Sequence, residues 1–281
     1  MTNSTAFNSE LLFEKYIDNE QVNGFSIGYE CSEFRYEALV ELLFEALPDF
    51  ALTQREKDSL GASNVVRKMR RAAKLVYSSK KYERRGEFGE ILLHVLMRDF
   101  FFTIPAISKL FYKDGANETV KGFDAVHIVP RPQGLELWLG EVKFYQDISS
   151  AITAVVKELD VHTGKDYLRS EFLFISNKVD ESWGYAQEFK DLIDEKNSLD
   201  NIFQKIRIPV LLTYNSVAIN SYDKACEEYK GSLIREMNIH HDKFRSNTLP
   251  EVEILLMLVP LKDKVRLINE LDNKLRVWQN L

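Results

Sequence analysis

The run from Leu135 to Tyr145 (LELWLGEVKFY) constrains this chain more than any other segment. It is short, rich in aliphatic and aromatic residues, and follows the turn-forming stretch Pro130-Arg-Pro-Gln-Gly134, so it reads as a β-strand. Side chains two apart on a strand share a face. Leu137, Leu139, Glu141, Lys143 and Tyr145 therefore lie together, with Trp138, Gly140, Val142 and Phe144 on the other side. Glu141 and Lys143 sit side by side at the end of an otherwise apolar face. Charges on a buried face are costly unless something uses them. A divalent cation and a scissile phosphate would use both.

A second strand-like run, Gly122 to Val129 (GFDAVHIV), lies just before that turn and carries Asp124. Antiparallel pairing through the Pro-Gly turn brings Asp124 near Glu141. Two such carboxylates repel and raise each other's pKa. Mg²⁺ or Mn²⁺ removes the repulsion and accepts hard oxygen ligands of this kind. Val142 would add its backbone carbonyl. Lys143 would position or activate the attacking water and stabilise the charge that develops on phosphorus. A further acid comes from a long helix expected from Lys81 to about Phe101, whose Gly86-Glu-Phe-Gly-Glu90 stretch offers Glu87 and Glu90. At ~100° per residue, Glu87 falls on the polar face and Glu90 nearer the apolar edge, beside Leu93 and Met97. A metal-site acid leans toward the sheet, so Glu90 is preferred and Glu87 is the reserve.

The remaining chain alternates between helical and strand-like patterning. Glu33 to Leu47 has helical spacing and Pro48 is expected to end it. Thr53-Gln-Arg-Glu56 fits a capping box, and Asn64 is placed to cap a helix through Val76. Helices are expected over 147–161, 182–196, 221–238 and 262–279. Strands are expected over 171–176 (EFLFIS), 206–214 and 252–259, with Pro209 marking an edge position or a strand start. The fold class is α/β, a mixed β-sheet flanked by helices. The expected organisation is a mainly helical N-terminal region (1–80), a core (81–215) and a C-terminal helix-strand-helix extension (216–281).

Asp124, sixteen intervening residues, then Glu141-Val-Lys143, all after a helical glutamate, resembles the PD-(D/E)xK nuclease superfamily, the restriction-endonuclease-like fold. The resemblance implies that Asp124, Glu141 and Lys143 are the metal-binding and catalytic trio, that Glu90 is the helical acid, and that cleavage leaves 5′-phosphate ends. Phe123 stands where the superfamily usually has proline. Gly86-Glu-Phe-Gly-Glu90, Lys121-Gly-Phe-Asp124-Ala-Val-His127, Leu139-Gly-Glu-Val-Lys143-Phe-Tyr and Leu258-Val-Pro-Leu-Lys262 further resemble HamA, the nuclease-subunit family of the bacterial Hachiman antiphage system. That resemblance implies a helicase partner, HamB, and a DNase held in check until infection.

Composition sets the outer limits. A net charge of −6 argues against a wholly basic nucleic-acid coat, though a local basic strip can still hold DNA. Such a strip is available in Arg67, Lys68, Arg70, Arg71 and Lys74, which serve equally as a solvated helix face or a dock for an acidic partner. The two cysteines, Cys31 and Cys226, form no CxxC pair, so a thiolate zinc site is not expected and buried free thiols are. No signal peptide and no membrane span are expected, and the location is taken as cytoplasmic. His94 and His127 lie near the motif residues and are expected to play structural or supporting roles. A catalytically inactive regulatory or DNA-binding subunit is the alternative to a nuclease. RNA is a third possible substrate, although no residue pattern reads a 2′-hydroxyl.

Overall fold

A computed structural model describes residues 6–76, 86–108 and 122–281. The first stretch holds β1 (Glu14–Asp18), β2 (Val22–Ser26), the small hairpin β3 (Tyr29–Glu30) and β4 (Glu33–Phe34), then α1 (Tyr36–Ala51), α2 (Gln54–Asp58) and α3 (Val65–Val76). The middle holds α4 (Glu87–Phe101), β5 (Ile104–Ser108), β6 (Ala125–Arg131), β7 (Gly134–Phe144), α5 (Ile148–His162), α6 (Lys165–Lys178), α7 (Ala186–Ile193), α8 (Leu199–Phe203) and β8 (Ile206–Asn215). The last stretch holds α9 (Val217–Asn220), α10 (Glu227–Arg245), β9 (Glu253–Leu261) and α11 (Lys264–Gln279). Among the described residues no helix is long and apolar enough to cross a membrane.

A seven-stranded mixed sheet runs in the order β1-β2-β9-β8-β7-β6-β5. Its centre, β2-β9-β8-β7, is parallel, and both ends turn antiparallel. This is the mixed α/β architecture that the patterning predicts. Strands from all three stretches of sequence share the sheet: β1 and β2 from before residue 80, and β9 from after residue 215. Helices α1, α3 and α11 pack together, and α1 also packs on α4.

Several local expectations need correction. Glu171–Ser176 is not a strand but part of α6, because Leu168, Phe172 and Ile175 are buried at helical spacing while Leu173 faces solvent. Pro48 does not end α1; the helix continues to Ala51 around it. Pro209 does not mark an edge, since β8 lies between β7 and β9; its missing N–H falls where the β7–β8 register skips Leu139 and Gly140. Asn64 does not cap α3 with its side chain: Oδ1 accepts the Gly61 N–H upstream instead. The helix expected over 221–238 is displaced to Glu227–Arg245. Cys31 is exposed, and both cysteines are free thiols. The expected start of the helix at Lys81 lies outside the described residues. The Thr53 capping box is present as anticipated, with Thr53 Oγ1 accepting from Glu56 N–H and Glu56 reaching back to Thr53 N–H.

α4 lies directly on β7. Gly89 and Gly140 permit this closeness. A Cβ on Gly89 would sit 2.9 Å from Phe144 Cβ and 3.0 Å from Val142 Cγ2, and one on Gly140 would sit 2.8 Å from Leu93 Cδ2. The face of β7 under α4 is thus Trp138, Gly140, Val142 and Phe144, as the strand period requires. Beside this contact runs a buried polar chain. Thr103 Oγ1 lies 2.6 Å from His127 Nδ1, His127 Nε2 lies 3.2 Å from His94 Nδ1, and His94 Nε2 lies 2.9 Å from Asp49 Oδ2. Asp49 also accepts from Lys57 at 2.8 Å and from Arg98. Because the Asp49 carboxylate only accepts, His94 must present Nε2–H to it. His94 Nδ1 then accepts from His127 Nε2–H, and His127 Nδ1 accepts the Thr103 hydroxyl. Both imidazoles are neutral in this arrangement. Burial pushes the pKa of each below the usual value; Asp49 opposes this at His94, while His94 and Arg98 reinforce it at His127. The chain ties α1 to α4 and β6.

Two expectations follow from this packing. Gly89→Ala should destabilise by about 1–3 kcal/mol, the cost of overpacking exceeding the roughly 1 kcal/mol gain in helix propensity; chemical denaturation reads this, and an unchanged midpoint would contradict the contact. For the two histidines the folded pKa lies below the unfolded value of about 6.5. Their contribution is therefore complete above that pH and is lost as the pH falls toward the depressed folded values. The melting temperature should drop between pH 7.5 and pH 5, and the drop should shrink in His127→Asn. Equal slopes in the two proteins would count against the neutral chain.

Candidate active site

The site forms where β6 begins and β7 ends. Ala125 pairs with Gly140, and Asp124 N–H donates to Gly140 O at 2.8 Å. Asp124 thus sits just past the end of that ladder, near enough to Glu141 for its charge to act on the Glu141 carboxyl. The Asp124 carboxylate turns along the strand end, where Oδ2 accepts the Val142 N–H at 2.8 Å. Gly122, at φ 151°, leads into this turn; a Cβ there would meet Glu171 Oε1 at 2.7 Å. The Phe123 N–H donates to the same Glu171 oxygen at 3.3 Å, so α6 braces the approach to Asp124.

Glu141 and Lys143 point away from α4 and toward α5, as alternation requires. Both are buried. Glu141 Oε1 pairs with His162 Nδ1, and Lys143 Nζ pairs with Glu158 Oε2. Lys143 Nζ also donates to the Val142 carbonyl at 3.2 Å. Glu158 and His162 stand four apart on α5, so they share a helix face. The His162 ring stacks on Tyr167 with centroids 4.4 Å apart and meets the Phe123 ring at 5.3 Å.

The electrostatics follow from this crowding. Burial pushes the Glu141 carboxyl up, the hydrogen bond from His162 pulls it back, and the charge of Asp124 raises it again. Burial would lower Lys143, but Asp124, Glu158 and Glu141 together hold it above its usual value. Burial likewise works against a charged His162, and Glu141 overcomes it, so the imidazole is raised.

Asp124, Glu141 and Lys143, with the Val142 carbonyl, are thus gathered at one strand end. Glu90 is buried in the first turn of α4 and Glu87 is half-buried there, and α4 covers the opposite face of β7. Among the described residues no three His, Cys, Asp or Glu side chains come together as a metal cage. The carboxylates therefore form a pair. His94 and His127 belong to the buried chain under α4 and not to this cluster. Tyr145 is exposed just past Lys143.

His162 and Glu158 were not singled out from the sequence. The helix was expected to stop at Val161, one residue short of His162. The signal was nevertheless present, because a helix that follows an acid-lysine strand presents residues at i and i+4 to one line of contact. The basic strip falls on α3. Ala72, Ala73 and Val76 pack inward, Arg67 and Lys74 are exposed, and Arg71 pairs with Glu56 at 2.9 Å.

No curated protein matches the chain. A family model described as HamA matches residues 3–275, which takes in every element of the sheet and both walls of the Asp124–Glu141–Lys143 site. The chain belongs to the HamA family, and its role lies in Hachiman antiphage defence.

Proposed function

We propose that this chain is a metal-dependent DNA nuclease that works in the cytoplasm and is held inactive by the HamB helicase until infection. One observation carries the reading: two buried carboxylates, Asp124 and Glu141, lie near enough at a strand end for the charge of one to raise the other, with Lys143 two residues after Glu141. Residues 81–215 would form the nuclease core, with 1–80 and 216–281 as flanking regions.

The residues suit a hard divalent cation. Asp124 accepts the Val142 N–H through Oδ2, and carboxylate oxygens of this kind suit such an ion. Glu141, raised by burial and by the charge of Asp124, gains from a nearby cation. Asp124, Glu141 and the Val142 carbonyl would hold Mg²⁺ or Mn²⁺. Glu90, with Glu87 in reserve, lies on α4, and the two-carboxylate core does not depend on either. A bound cation would supply Lewis-acid polarisation of the phosphodiester. Lys143 places an ammonium beside the carboxylates, where it would stabilise the charge developing on the phosphoryl oxygens. His162 holds Glu141 in one orientation through its ring nitrogen, and its own ring is fixed by stacking on Tyr167. Arg67 and Lys74 on α3 would add phosphate contacts remote from the reaction.

The test is cleavage of duplex DNA with and without Mg²⁺, by the chain alone and after release from HamB. Asp124→Asn and Lys143→Ala should each lower the rate by about 10²–10³-fold, the usual loss of one charge-stabilising group. Mn²⁺ should raise the melting temperature of the wild type and not that of Asp124→Asn/Glu141→Gln. Wild-type rates in the single variants would end the assignment of the site.

A further inference from the structure

Lys143 is a nearly buried cation, its side chain 9% exposed, and its ion-pair partner Glu158 is not buried, at 42%. The other two acids beside it are already engaged, Asp124 with the Val142 N–H and Glu141 with His162. Glu158 stands on the rim of α5, whose packing residues are Ala151, Ile152, Val155 and Leu159. Its side chain can therefore leave Lys143 for solvent without unpacking the helix. A carboxylate on an ammonium offers the same charge sign and the same acceptor oxygens as a non-bridging phosphate oxygen.

Resting on the nuclease reading above, we propose that Glu158 occupies the seat of the scissile phosphate and that DNA must displace it from Lys143. The carboxylate is an internal competitor. It keeps the buried ammonium hydrogen-bonded to a carboxylate while the site is idle. On binding, Lys143 exchanges one anionic partner for another, and the released Glu158 carboxylate turns outward, away from a backbone that would repel it. His162, four residues on, keeps its hold on Glu141 throughout, so the exchange alters one of the two contacts α5 makes with the site and leaves the other. Glu158 is thus a residue that sets substrate affinity, and it takes no part in bond breaking.

The test measures binding of a fluorescent duplex by anisotropy in EDTA, which separates affinity from cleavage. Glu158→Gln keeps the shape of the side chain and removes its charge. It should bind the duplex about two- to fivefold tighter than the wild type, the range expected from removing a partly exposed ion pair. The gain should vanish when Lys143→Ala is added. Because Glu158 lies at the rim, Glu158→Gln should unfold near the wild-type temperature, so a missing gain is not a folding artefact. Equal or weaker binding by Glu158→Gln overturns the proposal, as does an undiminished gain in the double variant or no binding by either protein. If Lys143→Ala still cleaves at the wild-type rate, the nuclease site itself fails. If Lys143→Ala is crippled while Glu158→Gln shows no gain, only the competitor fails.

Discussion

The antiparallel register between β6 and β7 is the constraint on which the rest depends. Pairing Ala125 with Gly140 brings Asp124, next to Ala125, to the strand end that carries Glu141. A slip by one residue would send Glu141 and Lys143 into the apolar contact with α4 and turn Trp138 and Phe144 toward α5. Two features pin the register. Gly140 admits Leu93 where no larger residue fits, and the Val142 N–H is claimed by Asp124 instead of continuing the ladder. The β6–β7 ladder ends there, while β7 goes on pairing with β8 to Phe144.

The two faces of β7 carry opposite solutions to buried polarity. Under α4, Thr103, His127, His94 and Asp49 form a run in which each donor has one acceptor, and nothing in it calls for a ligand. Under α5, negative groups gather around one ammonium and one imidazole, and the Glu141 carboxyl is pushed upward as a result. The first arrangement is closed and the second is strained. Perturbation of that kind is what the proposed cation would relieve, whereas the neutral histidine chain marks a joint between helices.

How legible this was in the sequence depended on distance along the chain. The faces of β7 could be read from a period of two, and the nearness of Asp124 to Glu141 from one short turn. The N-terminal strands could not be assigned to the sheet, because β2 pairs with β9, more than two hundred residues later. The link from Asp49 to His94 and His127 was hidden for the same reason. The apolar letters of Glu171–Ser176 suit a buried strand as well as one face of a helix, and only Leu168 upstream shows the helical spacing. Glu90 was chosen over Glu87 from a helical wheel. Its burial agrees with the inward lean, but a wheel cannot say against which face of the sheet the helix rests.

The parallel centre of the sheet also governs the order of assembly. β8 lies between β7 and β9, and β9 between β8 and β2, so a growing chain that has made β7 and β8 still has two bare strand edges until residues 253–261 arrive. Contacts of such long range form late in folding. The strand β8, which flanks the one that carries Glu141 and Lys143, is therefore braced on its open side only near the end of synthesis. A chain interrupted before the ninth strand carries the acidic motif on a sheet still open at β8 and β2.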